Sequence, residues 1–394
     1  MKNNTALCLK TFSLAAFVIA TAWNAGATDT SKSFKSPDGN VVVTVSTDGH
    51  LNYSIKFHGK PAVEASAMGV TVDGRDMGQD VAFAGKSRTE RIHETYPVFG
   101  VHKTAVNDCS ATVIPLRSGD TTWQLEVRVF NDGVGCRYRV PGTGSRHIDG
   151  ESSEWQIPVG STIWSQSADN TSYESRYDIA IVGQQPKSLQ IMAPATVKLV
   201  NDTGYAMMTE ANLINYSDMS LEANSNVFHA FFHNSRNGWN ADGEIVSPWR
   251  VTILAADLNT LVNSDIIKNL CPPPAPELAG ASWIRPGRST WGWLSCYCAP
   301  KLEDQKAWID RTKELGFEYY LIDDGWRDWN GGGDNAWKAM AELVQYAKGQ
   351  GVDIWVWVHC KYVRKPEDRL AYFKRAKSTG IGGLKIDFMD PANP

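Results

Sequence analysis

Cysteine is scarce in this chain, with seven in 394 residues. Apart from Cys8, they are Cys109, Cys136, Cys271, Cys296, Cys298 and Cys360, too sparse for a disulfide scaffold of this size. Cys296-Tyr297-Cys298 is a close pair, but no second Cys/His pair stands at zinc-site spacing. Structural roles are therefore expected over a metal or redox centre. Charge of one sign is also missing. A formal net charge of -4 gives no reason to expect nucleic acid or an anionic membrane as partner. The apolar run over residues 12–22 is too short to cross a bilayer. With Lys2 and Lys10 ahead of it and Ala25-Gly26-Ala27 behind, it reads as a secretory leader over about residues 1–27. Export to a periplasm is the expectation.

What is present is an ordinary globular composition, 42% apolar and 21% charged, long enough for two or three domains. The fifteen tryptophans stand out. An indole offers a flat apolar face with one polar handle, which suits sugar rings as well as cores.

The hydrophobic period divides the chain. From about residue 28 to 270 it is mostly two: Leu51, Tyr53, Ile55 and Phe57 alternate with polar residues, as do Trp123, Leu125, Val127 and Val129. Turn clusters such as Thr47-Asp48-Gly49 and Asn131-Asp132-Gly133 separate these runs. Many short, half-buried strands predict an antiparallel β-sandwich. Residues 271–280 form a linker, because Pro272, Pro273, Pro274 and Pro276 cannot supply a ladder of backbone donors.

From residue 281 to 394 the pattern changes. Strands are expected over residues 289–294, 319–322, 354–358 and 384–386. Between them lie helices over about 303–315, around Trp337, Met340, Ala341, Val344 and Ala347, and from Pro366 to Gly380. Strands recur about every thirty residues, the length of a β/α unit. A doubly wound sheet or an incomplete (β/α)8 barrel would fit; a whole barrel needs about 250 residues.

In parallel β/α folds, ligands gather at the carboxyl ends of the strands. Those ends carry Trp291-Gly292-Trp293, then Asp323-Asp324-Gly325-Trp326, then His359, then Asp387 with Asp390. Acids, a histidine and indoles there would make a sugar site: the acids act on an oxocarbenium-like centre and the rings stack on the sugar. Each also has a plainer reading. Asp323-Asp324-Gly325 could be a turn, His359 a satisfied core histidine, and the tryptophans packing residues.

Ser282-Trp283-Ile284-Arg285-Pro286-Gly287-Arg288 resembles the barrel entry of glycoside hydrolase family 97. The resemblance continues through Tyr320-Leu321-Ile322-Asp323-Asp324-Gly325-Trp326, Ile354-Trp355-Val356-Trp357-Val358-His359 and Leu384-Lys385-Ile386-Asp387-Phe388-Met389-Asp390. Upstream, Phe130-Asn131-Asp132-Gly133-Val134-Gly135-Cys136-Arg137-Tyr138, Thr209-Glu210-Ala211-Asn212-Leu213 and Pro248-Trp249-Arg250 look like its sandwich domain.

The resemblance implies an exo-acting hydrolase of terminal α-linked sugars, with a β-sandwich, a (β/α)8 barrel and calcium near an oligosaccharide substrate. Retaining members, notably α-galactosidases, carry an aspartate nucleophile after the fourth strand in a Lys-x-Asp-[Phe/Tyr] setting, where inverting α-glucosidases have glycine. Lys385-Ile386-Asp387-Phe388 matches the retaining pattern and makes Asp387 the implied nucleophile. Lys385, two residues earlier on the same strand face, would keep Asp387 ionised, or would be a simple structural ion pair. Trp291, Trp293, Asp323, Asp324, Trp326, His359 and Lys385 are the expected substrate contacts, and Glu210 the implied calcium ligand.

The family's acid/base glutamate and other calcium glutamates belong to later barrel segments, so about half of the barrel is expected here. The 394-residue chain is expected to have no substantial activity by itself. An α-glucosidase of the same family, or a non-catalytic carbohydrate-binding or vestigial fragment, stands as the alternative.

Overall fold

The computed structural model describes residues 30–168 and 174–389. The leader expected over residues 1–27, and Asp390, lie outside the described residues.

Alternating sequence becomes antiparallel sheet. Val41–Ser46 pairs with Asn52–Phe57, and Thr121–Phe130 pairs with Gly133–Val140 across the Asn131-Asp132 turn. Their alternate residues, including Val41, Val43, Val45, Ile55, Trp123, Leu125, Val127 and Val129, are fully buried in one core. Each such aliphatic side chain contributes roughly 1.5–3 kcal/mol by leaving water. The described strands form sheets of eight and eleven, with a smaller sheet of four from Trp239–Asp242, Ser145–Glu151, Val70–Val72 and Arg75–Asp76.

Trp249–Ala255 departs from the half-buried pattern and is buried along its whole length. One side belongs to the sandwich core. Val251, Ile253 and Ala255 on the other are covered by Leu261, Ile266 and Leu270 of two short helices, Leu258–Val262 and Ile266–Leu270. Residues 271–280 then run exposed.

The remaining described residues form a four-stranded parallel sheet in the order Ser289–Trp291, Tyr319–Ile322, Asp353–His359, Gly383–Asp387. Helices Gln305–Glu314, Gly333–Gln350 and Pro366–Thr379 connect them. The first strand is shorter than expected: the chain turns at Gly292 into a helical turn, Gly292–Cys296. Among the five residues expected on one face of the second helix, Met340, Val344 and Ala347 are buried, while Trp337 and Ala341 are only half-buried. Ala336, Ala339 and Leu343 complete that face.

The period of two sorts this sheet into unlike faces. Tyr320, Ile322, Ile354 and Val356 pack against the helices with Ile309, Met340 and Val344. The opposite face carries Trp291, Leu321, Asp323, Trp355, Trp357, His359, Lys385 and Asp387. Gly383 admits this arrangement: a Cβ there would sit 2.2 Å from Cε2 of Trp355. An indole therefore crosses the fourth strand where any larger residue would obstruct it.

Candidate active site

Pairing register brings the polar residues to one end of that face. Trp291 is level with Leu321, Trp357 with Lys385, and His359 with Asp387. Lys385 is the centre of the group. Its Nζ lies 3.1 Å from Oδ2 of Asp387 and 3.1 Å from Oδ2 of Asp323, with the Trp291 ring 4.4 Å away. One ammonium thus joins the ends of the second and fourth strands.

Asp323 is 6% exposed and surrounded by donors. It accepts from Lys385, from Trp291 Nε1 and, through Oδ1, from the Asp324 amide at 2.8 Å. Asp324 is exposed, and its Oδ1 accepts from the Gly325 amide at 2.9 Å. The turn reading of Asp323-Asp324-Gly325 therefore holds. Gly325 has φ +106, and a Cβ there would meet Ala299 Cβ at 2.8 Å, so this turn requires glycine.

Asp387 has its side chain 39% exposed and accepts from Trp357 Nε1 and the Phe388 amide, both at 2.9 Å. Burial works to raise its carboxyl pKa. The Trp357 and Phe388 donors and the nearby Lys385 charge outweigh that, holding it below the usual aspartate value. A carboxylate kept ionised and partly open to solvent can serve as a nucleophile.

His359 accepts the Lys361 amide at Nδ1, 3.2 Å away, so the neutral ring carries its proton on Nε2. The ring lies 5.3 Å from that of Phe388 and 6.1 Å from that of Trp357.

Trp357 is a partner that sequence reasoning missed. It is 4% exposed, and its indole donor is aimed at Asp387. The signal was its position: two residues before His359, it shares the functional strand face. Trp326, expected as a substrate contact, is instead a core residue. It is fully buried, donates Nε1–H to the Trp357 carbonyl and packs edge-on to Trp337 at 5.0 Å. Its indole points behind the sheet end because the chain turns into the helix layer after Gly325. Trp293 sits past the first strand on the helical turn and is 37% exposed. Cys296 and Cys298 form a disulfide.

Glu210 is remote in sequence and differently engaged. It lies on Gly204–Ala211, where Oε2 accepts from Arg250 Nη1 at 2.6 Å and Oε1 from the Met219 amide at 3.0 Å. Arg250 also holds Glu151 through two bonds of 2.8 and 2.6 Å. Burial, with the Glu151 charge adding to it, pushes the Glu210 carboxyl above its usual value against the pull of Arg250. Calcium needs six to eight oxygen ligands. Among the described residues no group of three or more His, Cys, Asp or Glu could hold a metal ion. Glu210 alone does not make a calcium site, and no step is derived through one.

A parallel sheet with carboxylates, an ammonium and indoles at the carboxyl ends of its strands has the groups that a sugar-binding β/α site needs. Two sequence profiles specify it further. The one for the Glycosyl-hydrolase 97 N-terminal domain matches residues 34–273, and that for Glycoside hydrolase 97 matches residues 297–393. The chain belongs to glycoside hydrolase family 97.

It is 30% identical over 365 residues to a probable retaining alpha-galactosidase of Streptomyces bingchenggensis, covering 87% of this chain and 54% of that protein. It is 24% identical over 403 residues to the retaining alpha-galactosidase of Bacteroides thetaiotaomicron, covering 90% and 59%. The chain thus spans little more than half the length of these curated relatives. A family 97 enzyme from a Pseudoalteromonas species, solved with panose, superposes with a TM-score of 0.77 at 22% identity, covering 91% of this chain and 59% of that one.

Proposed function

We propose that this chain supplies the nucleophile side of a retaining α-galactosidase active site, built on the first four strands of a (β/α)8 barrel. The observation that carries the reading is Asp387 at the end of the fourth strand, bonded to Trp357 and bridged by Lys385 to Asp323. In this reading an Asp387 oxygen attacks the anomeric carbon of a terminal α-galactosyl unit. The bond to the leaving oxygen breaks as that oxygen takes a proton from an acid not assigned among the described residues. Water then cleaves the galactosyl–Asp387 ester, and the two displacements retain configuration.

Asp323, Asp324, His359 Nε2–H and Lys385 present hydrogen-bonding groups to the sugar hydroxyls, and the half-buried Trp291 presents ring surface. Export to the periplasm, from the leader-like residues 1–27, would place the enzyme where oligosaccharides enter the cell.

The test uses the full-length gene product. Asp387→Ala should abolish turnover of an aryl α-galactoside, and azide should partly restore it by taking the place of the missing carboxylate. NMR of the first-formed sugar should show the α-anomer. Wild-type rates in Asp387→Ala would refute the nucleophile, and an initial β-anomer would refute retention. Preference for α-glucosides would favour the family's other branch.

A further inference from the structure

The loop after the first strand holds a feature that the carboxylate site does not use. Cys296 and Cys298 are joined by a disulfide across a single residue, Tyr297. Tyr297 caps the helical turn Gly292–Cys296 in the left-handed region, φ 49 and ψ 39, with its amide donating to the Trp293 carbonyl at 2.7 Å. A non-glycine residue resists that conformation, so the surrounding bonds must impose it. Tyr297 is 73% exposed, and Trp293 and Leu294 on the same helical turn are 37% and 62% exposed. So exposed a ring adds little to the core.

The loop is also clamped in place. Ala299 and Pro300 lie against Gly325, where a Cβ would come within 2.8 and 3.3 Å of them, and the Pro300 carbonyl accepts Trp329 Nε1–H at 2.7 Å. Ala299 and Pro300, directly after the disulfide, are thereby fixed on the turn that carries Asp323 and Asp324. A rigid, exposed aromatic ring at the rim of a sugar site can stack on the C–H face of a second sugar without losing much rotamer freedom.

We propose that Tyr297, held by the Cys296–Cys298 disulfide, is a specificity-determining residue that stacks on the leaving-group sugar of an α-galactosyl oligosaccharide. This rests on the α-galactosidase reading above. Terminal-unit chemistry belongs to the carboxylates, and Tyr297 selects what the terminal unit is attached to.

In the full-length protein, Tyr297→Ala should lower kcat/KM for an α-galactosyl disaccharide by roughly five- to tenfold. α-Galactosyl fluoride, which has no leaving-group ring, should be hydrolysed within about twofold of the unmodified rate. Tyr297→Trp should keep disaccharide activity, and the Cys296→Ser, Cys298→Ser double variant should lose it selectively. An equal loss on both substrates, or none on either, overturns the proposal. So does a lowered Tm without the substrate split, which would mark this loop as packing surface.

If the unmodified protein hydrolyses no α-galactoside, the functional reading fails, and the platform is judged by binding. In protein labelled with 13C-tyrosine, the Tyr297 ring signal should shift with millimolar α-linked disaccharides and not with the matching monosaccharides. An unmoved signal overturns it.

Discussion

Replacing Arg250 with methionine keeps most of the side-chain stem and removes a guanidinium that two carboxylates share. The Arg250 side chain is 3% exposed, that of Glu151 fully buried and that of Glu210 15% exposed. Three of its bonds, at 2.6, 2.6 and 2.8 Å, would vanish together. Tyr216 and Ser153 would still donate to Glu151, and the Met219 amide to Glu210, but no cation would face either carboxylate in this cluster.

Breaking a buried pair by removing one partner costs about 3–5 kcal/mol. Against a total of roughly 5–15 kcal/mol for a folded domain, that is a large share. The pH dependence has a definite sign. Glu210 already has its carboxyl raised by burial, so the folded state binds its proton more tightly than the unfolded chain does. That stabilisation is complete below the usual glutamate value near ~4.3 and is lost as pH rises through the folded value. The variant should therefore be least stable at alkaline pH and partly recover on mild acidification.

Amide exchange in Gly204–Ala211 and Trp249–Ala255, paired through Glu210 and Arg250 themselves, reads the cost locally. Rates limited by opening of the sheet should rise by roughly two to four orders of magnitude. A loss below ~1 kcal/mol, or one that is flat with pH, would refute the claim that these charges depend on one another.

Other perturbations test the parallel sheet. Gly383→Ala pushes a methyl into the Trp355 indole and should cost about 1–3 kcal/mol by thermal melting. The Gly383→Ala, Trp355→Leu double variant should recover part of it, and strict additivity would deny the clash. Lys385→Met should let the Asp387 carboxyl rise from its depressed value, moving the acid limb of a 13C carboxylate titration to higher pH. Asp387 is partly exposed, so stability should change little; an unmoved titration would exclude Lys385 as a cause. Iodoacetamide at pH 8 without reductant should label Cys271 alone among the described cysteines. Cys296 and Cys298 are bonded, Cys360 is buried, and burial pushes the Cys109 and Cys136 thiols to about 11 and about 12. Labelling at Cys296 would refute the disulfide.

Several elements could be read directly because a local rule governs them. Alternation at Leu51, Tyr53, Ile55 and Phe57 requires a half-buried strand, and all four side chains are buried. Tyr319–Ile322 falls where its apolar run stands, and Pro366 and Gly380 bound the last helix as such residues do. The first strand was overextended because Trp293 and Leu294 look strand-like. Instead the chain turns at Gly292 into a helical turn that ends at the Cys296–Cys298 link, a bond that strand-like residues do not reveal.

Trp326 and Glu210 both make contacts that no local rule reveals. Trp326 stands one residue after the Asp323-Asp324-Gly325 turn, yet the direction of that turn sends its ring into the core. Glu210 carries the same carboxylate whether it meets a metal ion or an arginine. Only the pairing of Gly204–Ala211 with Trp249–Ala255 puts Arg250 against it.

The sequence alone determined which residues alternate, where the chain passes from antiparallel to β/α structure, and which acids stand at strand ends, because those properties depend on neighbours along the chain. The tertiary structure decided that one ammonium, Lys385, serves both Asp323 and Asp387, and that Trp357 donates to Asp387. Lys385 and Asp387 are two residues apart on one strand face, but the Lys385–Asp323 and Trp357–Asp387 contacts join residues 62 and 30 positions apart, and strand register, not local preference, brings those within hydrogen-bonding distance.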